Sequence, residues 1–228
     1  MIKKYLYLNA VRNFSIAMVW INGGSDMDEK GKKGINHILC SLLSRGCDGL
    51  NNLELSEYVD YYGAELNQEI SEDGILISLK SLDEYFDKLY PLIDLIINRP
   101  LLELKQFKHV KKSTLNAIKK AKENPFNIAY EKWRKLVYVD HPYAFNSIGY
   151  EEDILRMTHD DILNEYEKFK DRDKYLVSNN ELIKGSNEKF VNFDNHKKNH
   201  LKKFSVESNN TFVSTPHNSN QVILMMMM

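Results

Sequence analysis

Gly34-Ile35-Asn36-His37-Ile38-Leu39-Cys40-Ser41-Leu42-Leu43-Ser44-Arg45-Gly46 sets the reading of the whole chain. Ile35, Ile38, Leu39, Leu42 and Leu43 recur at spacings of three and four, which puts them on one face of a helix ending near Gly46. Upstream, the β-branched and aromatic residues of 6–8 and 15–21 predict two short strands. Asn22-Gly23-Gly24-Ser25-Asp26 then breaks the pattern as a polar, glycine-rich loop. Downstream, a second helix is expected from about Asn52 to Tyr62, stopped by Gly63. Leu66, Ile70, Ile75, Ile77 and Leu79 fall at even spacings around Glu72-Asp73-Gly74, so residues 64–82 read as a hairpin.

The second half of the chain is mostly helical in pattern. Asp83 opens a helix toward Asn98, with Pro100 at its end, and residues 101–122 continue as a long lysine-rich helix closed before Pro125. A further helix covers 127–139. Thr158 caps another, since Asp161 lies three residues on and Ile162, Leu163 and Tyr166 supply an apolar face. Residues 175–178 read as a strand. Composition then shifts to Asn, Lys and Ser.

The chain has 228 residues, with 43% hydrophobic and 28% charged side chains, ordinary values for a chain that can bury a core. At roughly 150 residues per domain this is about one and a half domains. Lys and Arg total 31 against 32 Asp and Glu, a net charge of -1, so no field of one sign recommends nucleic acid or an anionic membrane as partner. Locally the balance is uneven: residues 47–98 carry 12 acidic and 2 basic side chains, and residues 101–140 carry 10 basic and 4 acidic. These read as solvated helical faces that pair with each other. A nucleic-acid face on Lys105, Lys108, Lys111, Lys112, Lys119 and Lys122 lacks interleaved Arg and stacking aromatics.

Two cysteines, Cys40 and Cys47, are too few for a disulfide framework and suit a reducing compartment. The start Met1-Ile2-Lys3-Lys4-Tyr5-Leu6-Tyr7-Leu8 imitates a signal peptide until Asn9, Arg12 and Asn13 cut the apolar run short. No stretch approaches a membrane span, and a cytoplasmic protein is expected.

The order of these elements resembles the opening of the insulinase-like (M16) metallopeptidases and mitochondrial processing peptidases. Besides the loop at 22–26 and the helix at 34–46, Tyr62-Gly63-Ala64-Glu65-Leu66-Asn67 looks like the family's glycine-alanine entry to its hairpin. Glu123-Asn124-Pro125 is similar to the break closing its long helix, and His141-Pro142-Tyr143, Gly149 and the Thr158 helix start resemble the family's stretch after that break. The resemblance spans roughly residues 10–180. It implies an α+β fold, a LuxS/MPP-like metallohydrolase half-domain with a mainly antiparallel sheet covered by helices. It divides the chain into an M16-like domain at 1–182, a polar linker at 183–215 and a stub of a second such domain at 216–228. The stub holds a strand beginning at 220–224 and ends in the Met225 to Met228 run.

In active relatives the first helix carries H-x-x-E-H, two histidines for zinc and a glutamate that activates the attacking water, and a further glutamate ligand lies on the long helix. Here His37 holds the first histidine position, Cys40 stands at the general base and Ser41 at the second histidine. The matching count from Ser41 reaches Ala117, which cannot ligate. The expected reading is a non-catalytic homologue with no metal site and no cofactor. It acts as a partner subunit that helps hold peptide substrate for an active M16 peptidase, in a chamber built from paired half-domains. A peptide held there would add as a strand to an exposed sheet edge. The alternatives are a scaffolding interaction protein or a truncated gene product, while an active zinc metalloendopeptidase is disfavoured.

Other constellations carry less. His37, Cys40 and Cys47 lack a fourth ligand for zinc, and the cysteines read as small buried apolar residues. His196 and His200, four apart among Asn and Lys, read as linker, His109 as solvated, and His141 as tying down the turn after a helix. Tyr58, Tyr61 and Tyr62 with Phe86 and Tyr90 read as core and interface packing. No Ser/His/Asp order, phosphate-binding glycine loop or C-x-x-C is present.

Overall fold

Alternation is plainest in β2 (Phe14–Asn22) and β6 (Gly74–Leu82), where every second residue is buried. Ser15, Ala17, Val19 and Ile21 pair in antiparallel register with Ser81, Leu79, Ile77 and Ile75, so one face of the pair is a continuous buried surface. The period of two puts Phe14 and Met18 on the opposite, exposed face. In the computed structural model, which describes residues 13–180 and the backbone of 2–6, this pair is the centre of a five-stranded sheet. Its strand order is β1 (Ile2–Leu6), β7 (Lys174–Ser178), β2, β6, β5 (Glu65–Ile70). Only β1 and β7 pair in parallel, so the sheet is mainly antiparallel, as expected. Of the first expected strand, residues 7 and 8 lie outside the described residues. So do the linker at 183–215, with His196 and His200, and the second-domain stub with its methionine run.

Helices cover the buried face of the sheet. α1 (Ile35–Leu43) sends Ile38, Leu39, Leu42 and Leu43 into the core, where each fully buried side chain contributes about 1.5–3 kcal/mol. α2 (Asn52–Tyr61) starts on a capping box, the Asn51 side chain accepting from the Leu53 and Glu54 N–H groups while Glu54 accepts from Asn51 N. A two-residue hairpin, β3 (Gly46–Cys47) with β4 (Leu50–Asn51), joins the two helices. The expected helix over 83–98 is divided into a 3-10 turn at Asp83–Tyr85, α3 (Phe86–Leu89) and α4 (Pro91–Asn98). Pro91 has no N–H to continue the ladder, so the chain turns there and restarts with proline in the first helical position.

The long helix α5 (Leu104–Lys122) begins three residues later than expected. Residues 99–101 are held in extended form instead: Asp48 N donates to Arg99 O, Leu101 N donates to Gly46 O, and Pro100 bridges Cys47. Leu102, buried and at φ 45, makes the turn into the helix, and its carbonyl lies 2.6 Å from His159 Nε2. α6 (Pro125–Tyr138) follows, with the Asn124 side chain capping it. The turn at Pro142–Ala144 and α7 (Glu151–Arg156) come next, elements without a strong sequence period. α8 (His159–Lys170) has the expected capping box of Thr158 and Asp161. Buried Lys174, just past its end, donates to the carbonyls of Phe169, Lys170 and Arg172, an ammonium at the negative pole of the helix.

Candidate functional site

The start of α1 is fixed by contacts that no local pattern announces. Gly34 (φ 95) and Gly149 (φ 88) approach so closely that a Cβ on Gly34 would lie 2.9 Å from the Gly149 Cα and 2.6 Å from Ile148 O. Asp28 then caps the helix from six residues upstream, accepting from Gly34 N at 2.6 Å, Asn36 N at 3.2 Å and Asn36 Nδ2 at 2.8 Å. Asn36 Nδ2 also donates to Glu165 Oε1 on α8, and Arg172 completes the group. Arg172 donates to Glu165 Oε1 at 2.5 Å and to Gly23 O in the glycine-rich loop at 2.8 Å. Burial holds the Asp28 carboxyl above its ordinary range, against the pull of these donors. Thus α1 is bolted at its N-terminus to the loop before it and to α8 behind it.

The motif positions follow from that anchoring. His37 and Ser41, four apart, share a half-buried face, while Cys40 turns into the core with 3% of its surface exposed. Burial lowers the His37 pKa, so its imidazole is neutral at physiological pH. Burial, helped by the charge of Glu69, pushes the Cys40 thiol up to about 12. A thiol protonated at neutral pH cannot take the proton that a carboxylate base would accept from water. Cys47 is raised by burial as well, and both cysteines are unbonded and buried.

On α5, the helix that packs against α1, the buried stripe is Phe107, Val110, Thr114 and Ile118, and Ala117 faces solvent. The structure therefore brings together His37, Cys40 and Ser41 but sets Ala117 on the exposed side of its helix. Zinc does not fit this set: one imidazole, a thiol turned into the core, a hydroxyl and a methyl group do not supply the three or four convergent ligands it takes. Among the described residues no group of three or more His, Cys, Asp or Glu side chains is placed to hold a metal ion.

Beside α1 lies the edge of the sheet. β5 pairs with β6 alone, and its other side has no strand partner among the described residues. Leu66, Gln68 and Ile70 point half-buried toward the helices, and Glu65, Asn67 and Glu69 are exposed. The hairpin turn after β5 is braced from the far side. Arg134 of α6 donates to Glu72 at 2.6 Å, and the Tyr143 hydroxyl donates to Asp73 at 2.5 Å, a bond that raises the tyrosine's pKa. His141 is the structural turn residue expected, its Nδ1 accepting from Tyr143 N. Among the described ion pairs, Arg134 with Glu72 is the one that joins residues 101–140 to residues 47–98, so the two charged faces do not otherwise pair. Lysines of α5 turn elsewhere: Lys111 to the carbonyls of Leu155 and Met157, Lys119 and Lys122 to Glu151. No helix among the described residues is long and apolar enough to cross a membrane.

Comparison with known proteins gives a match of residues 5–148 to the family model for insulinase, peptidase family M16. Two curated relatives are the non-peptidase homolog YmxG of Helicobacter pylori, 22% identical over 156 residues, and an uncharacterized zinc protease of Rickettsia bellii, 23% identical over 172 residues. They align with 68% and 75% of this chain, which spans only 36% and 41% of their lengths. Among solved structures, a protease from Helicobacter pylori superposes with a TM-score of 0.71 at 22% identity, and a peptidase M16 inactive domain from Pseudomonas fluorescens with 0.69 at 19%. Each superposition covers 76% of this chain and 42% of the other.

Proposed function

Since the chain belongs to the insulinase family, peptidase family M16, we propose that it is a non-catalytic member which, in the cytoplasm, partners an active zinc metallopeptidase and helps hold peptide substrate for it. The observation that carries this reading is Cys40: a buried, protonated thiol stands where the family's water-activating carboxylate would be, on a helix packed beside an open strand edge. An extended peptide can add to the free side of β5 through main-chain hydrogen bonds, which require neither zinc nor a base. The names of two relatives agree, one a non-peptidase homolog and one an inactive domain. In this reading residues 1–182 form one half-domain that carries no zinc, residues 183–215 link it onward, and residues 216–228 begin a second.

The experiment is co-expression with candidate M16 peptidases, followed by pull-down, zinc analysis and peptide cleavage with and without this chain. Complex formation with a gain in cleavage, and no zinc or cleavage from this chain alone, is the expected result. Stoichiometric zinc with cleavage by the isolated chain would return it to the zinc proteases, as the name of the Rickettsia bellii relative suggests. A complex that leaves cleavage unchanged would leave a scaffold.

A further inference from the structure

Four tyrosines sit together at the margin of the core. Tyr62 makes edge contacts with Tyr58 at 5.2 Å and Tyr61 at 4.9 Å and lies 5.1 Å from Tyr85, while Phe86 and Tyr90 stack separately at 5.6 Å. Tyr61 is 80% exposed, far from the packing role its sequence context suggests. The cluster already holds one ammonium: Lys88 Nζ lies 5.5 Å from the Tyr62 ring centroid and 5.8 Å from that of Tyr85. Glu57, Asp60, Glu84 and Asp87 are exposed on the same two segments, and none has an ion-pair partner among the described residues. Glu84 is hydrogen-bonded to the Tyr85 hydroxyl, and the four carboxylates outnumber Lys88, so this is a net-negative surface with tyrosine faces, suited to lysine or arginine.

The chain itself supplies a complementary segment, and it departs from the right place. Asn180 Nδ2 donates to Ser15 Oγ at 2.6 Å, and Ser15 Oγ donates to Asp83 Oδ1 at 2.6 Å. Asp83 opens the turn that carries Glu84 and Tyr85, so the described chain ends beside the patch. Residues 196–204 read His-Lys-Lys-Asn-His-Leu-Lys-Lys-Phe, with Lys197, Lys198, Lys202 and Lys203 and no acidic residue. The stretch from 180 to 196 can span up to ~50 Å when extended, ample to return to the patch.

We propose that residues 196–204 dock within the same chain on the surface formed by Tyr58, Tyr61, Tyr62 and Tyr85 with Glu57, Asp60, Glu84 and Asp87. Exposed ion pairs are individually weak, so a free segment of this kind would bind poorly. A short covalent tether supplies an effective concentration on the order of millimolar, which keeps such a contact populated without any new interaction. Salt weakens it, because every charge involved is near water.

The test uses the full chain and a variant carrying Asp60→Asn, Glu84→Gln and Tyr61→Ser. These side chains are exposed, so the fold is retained. Amide exchange across residues 196–204 is expected to be about threefold or more slower in the wild type at about 20 mM salt than in the variant, with the difference gone at about 500 mM. A synthetic peptide of sequence 196–204 is expected to bind weakly, and about threefold or more better to a chain whose Lys197, Lys198, Lys202 and Lys203 are replaced by alanine than to the wild type, where the tethered segment competes. Equal exchange in wild type and patch variant overturns the proposal. So does equal peptide binding by the wild-type and lysine-substituted chains, which would assign the patch to an outside cationic partner.

Discussion

Replacing Glu165 by leucine should be among the most damaging single changes in the described chain, and the reason lies in burial. The Glu165 and Arg172 side chains are each 7% exposed and meet at 2.5 Å, with Asn36 Nδ2 on the same carboxylate oxygen. Removing the carboxylate leaves a guanidinium in the interior with one remaining acceptor, Gly23 O, and breaking a buried pair in this way costs about 3–5 kcal/mol. Against a total stability of about 5–15 kcal/mol this is a large fraction. With a urea slope of about 2 kcal/mol/M, the unfolding midpoint should fall by about 2 M. The double variant Glu165→Leu/Arg172→Met removes both charges and keeps much of the volume, so it should regain at least about 2 kcal/mol over the sum of the two single changes. Lys168, whose side chain is 59% exposed and 3.7 Å from Glu165, is the control, and its alanine variant should lose no more than about 1 kcal/mol. A midpoint for Glu165→Leu within about 0.5 M of wild type, or strict additivity in the double variant, would refute the view that this pair anchors α1.

Cys40 in the native chain should resist iodoacetamide at pH 8, since a thiol near 12 is ionised to only about one part in ten thousand, and should react at once in denaturant; rapid native labelling would contradict its burial. His37→Ala should leave zinc content and the cleavage rate of any complex with an active peptidase unchanged, whereas a tenfold or larger loss of cleavage would give the imidazole a role it lacks here. Thr158→Ala should cost about 1 kcal/mol in thermal unfolding by removing the cap of α8. Lys32, which hydrogen-bonds Asp161, and the Thr158 cap hold that carboxyl down to about 2. A depressed carboxyl contributes stability above its ordinary pKa of 3.8 and loses it as pH falls through about 2. Lys32→Ala should therefore cost about 1 kcal/mol at pH 7, the Lys32 side chain being 42% exposed, with the cost shrinking through about pH 2 and gone below it; a cost independent of pH would point to lost packing instead. Asp28 works in the opposite sense: raised by burial, it favours the folded state at acid pH and loses that contribution as pH rises through its elevated pKa.

The features legible in the sequence are those that a short window encodes. The alternation of β2 and β6, the hairpin around Glu72-Asp73-Gly74 and the cap at Thr158 rest on neighbours two to four residues apart, and each stands where the pattern puts it. The helix break at Pro91 is readable too, but the apolar run on both sides, Phe86 to Leu89 and Leu92 to Ile97, masks it. Nothing local can show the group at the start of α1, because Asn36 and Glu165 are separated by 129 residues. Among the clustered tyrosines, Tyr61 alone misleads, for a related reason. Phe86 lies in the core and Tyr58, Tyr62 and Tyr90 pack against it, as expected, yet Tyr61, on the same helix as Tyr58, is left exposed.

The altered motif is consistent with its surroundings in a way that single positions do not reveal. A carboxylate at position 40, where 3% of the side chain is exposed, would need a metal-bound water or a donor to offset its desolvation, and the donors nearest in sequence, His37 and Ser41, lie on the half-buried face while position 40 points into the core. Cysteine at that position avoids the problem, since its thiol stays protonated and packs as a small apolar group. His37 is neutral for the same reason, so α1 carries no net charge into the core at any motif position. Restoring the glutamate alone would thus place an unpaired charge beside Ile38, Leu39 and Leu43 without rebuilding a zinc site. Cys40→Glu should destabilise the chain by about 2 kcal/mol or more, and zinc should not rescue it. If zinc did restore stability to that single variant, the ligand set would be more complete than His37, Ser41 and Ala117 allow.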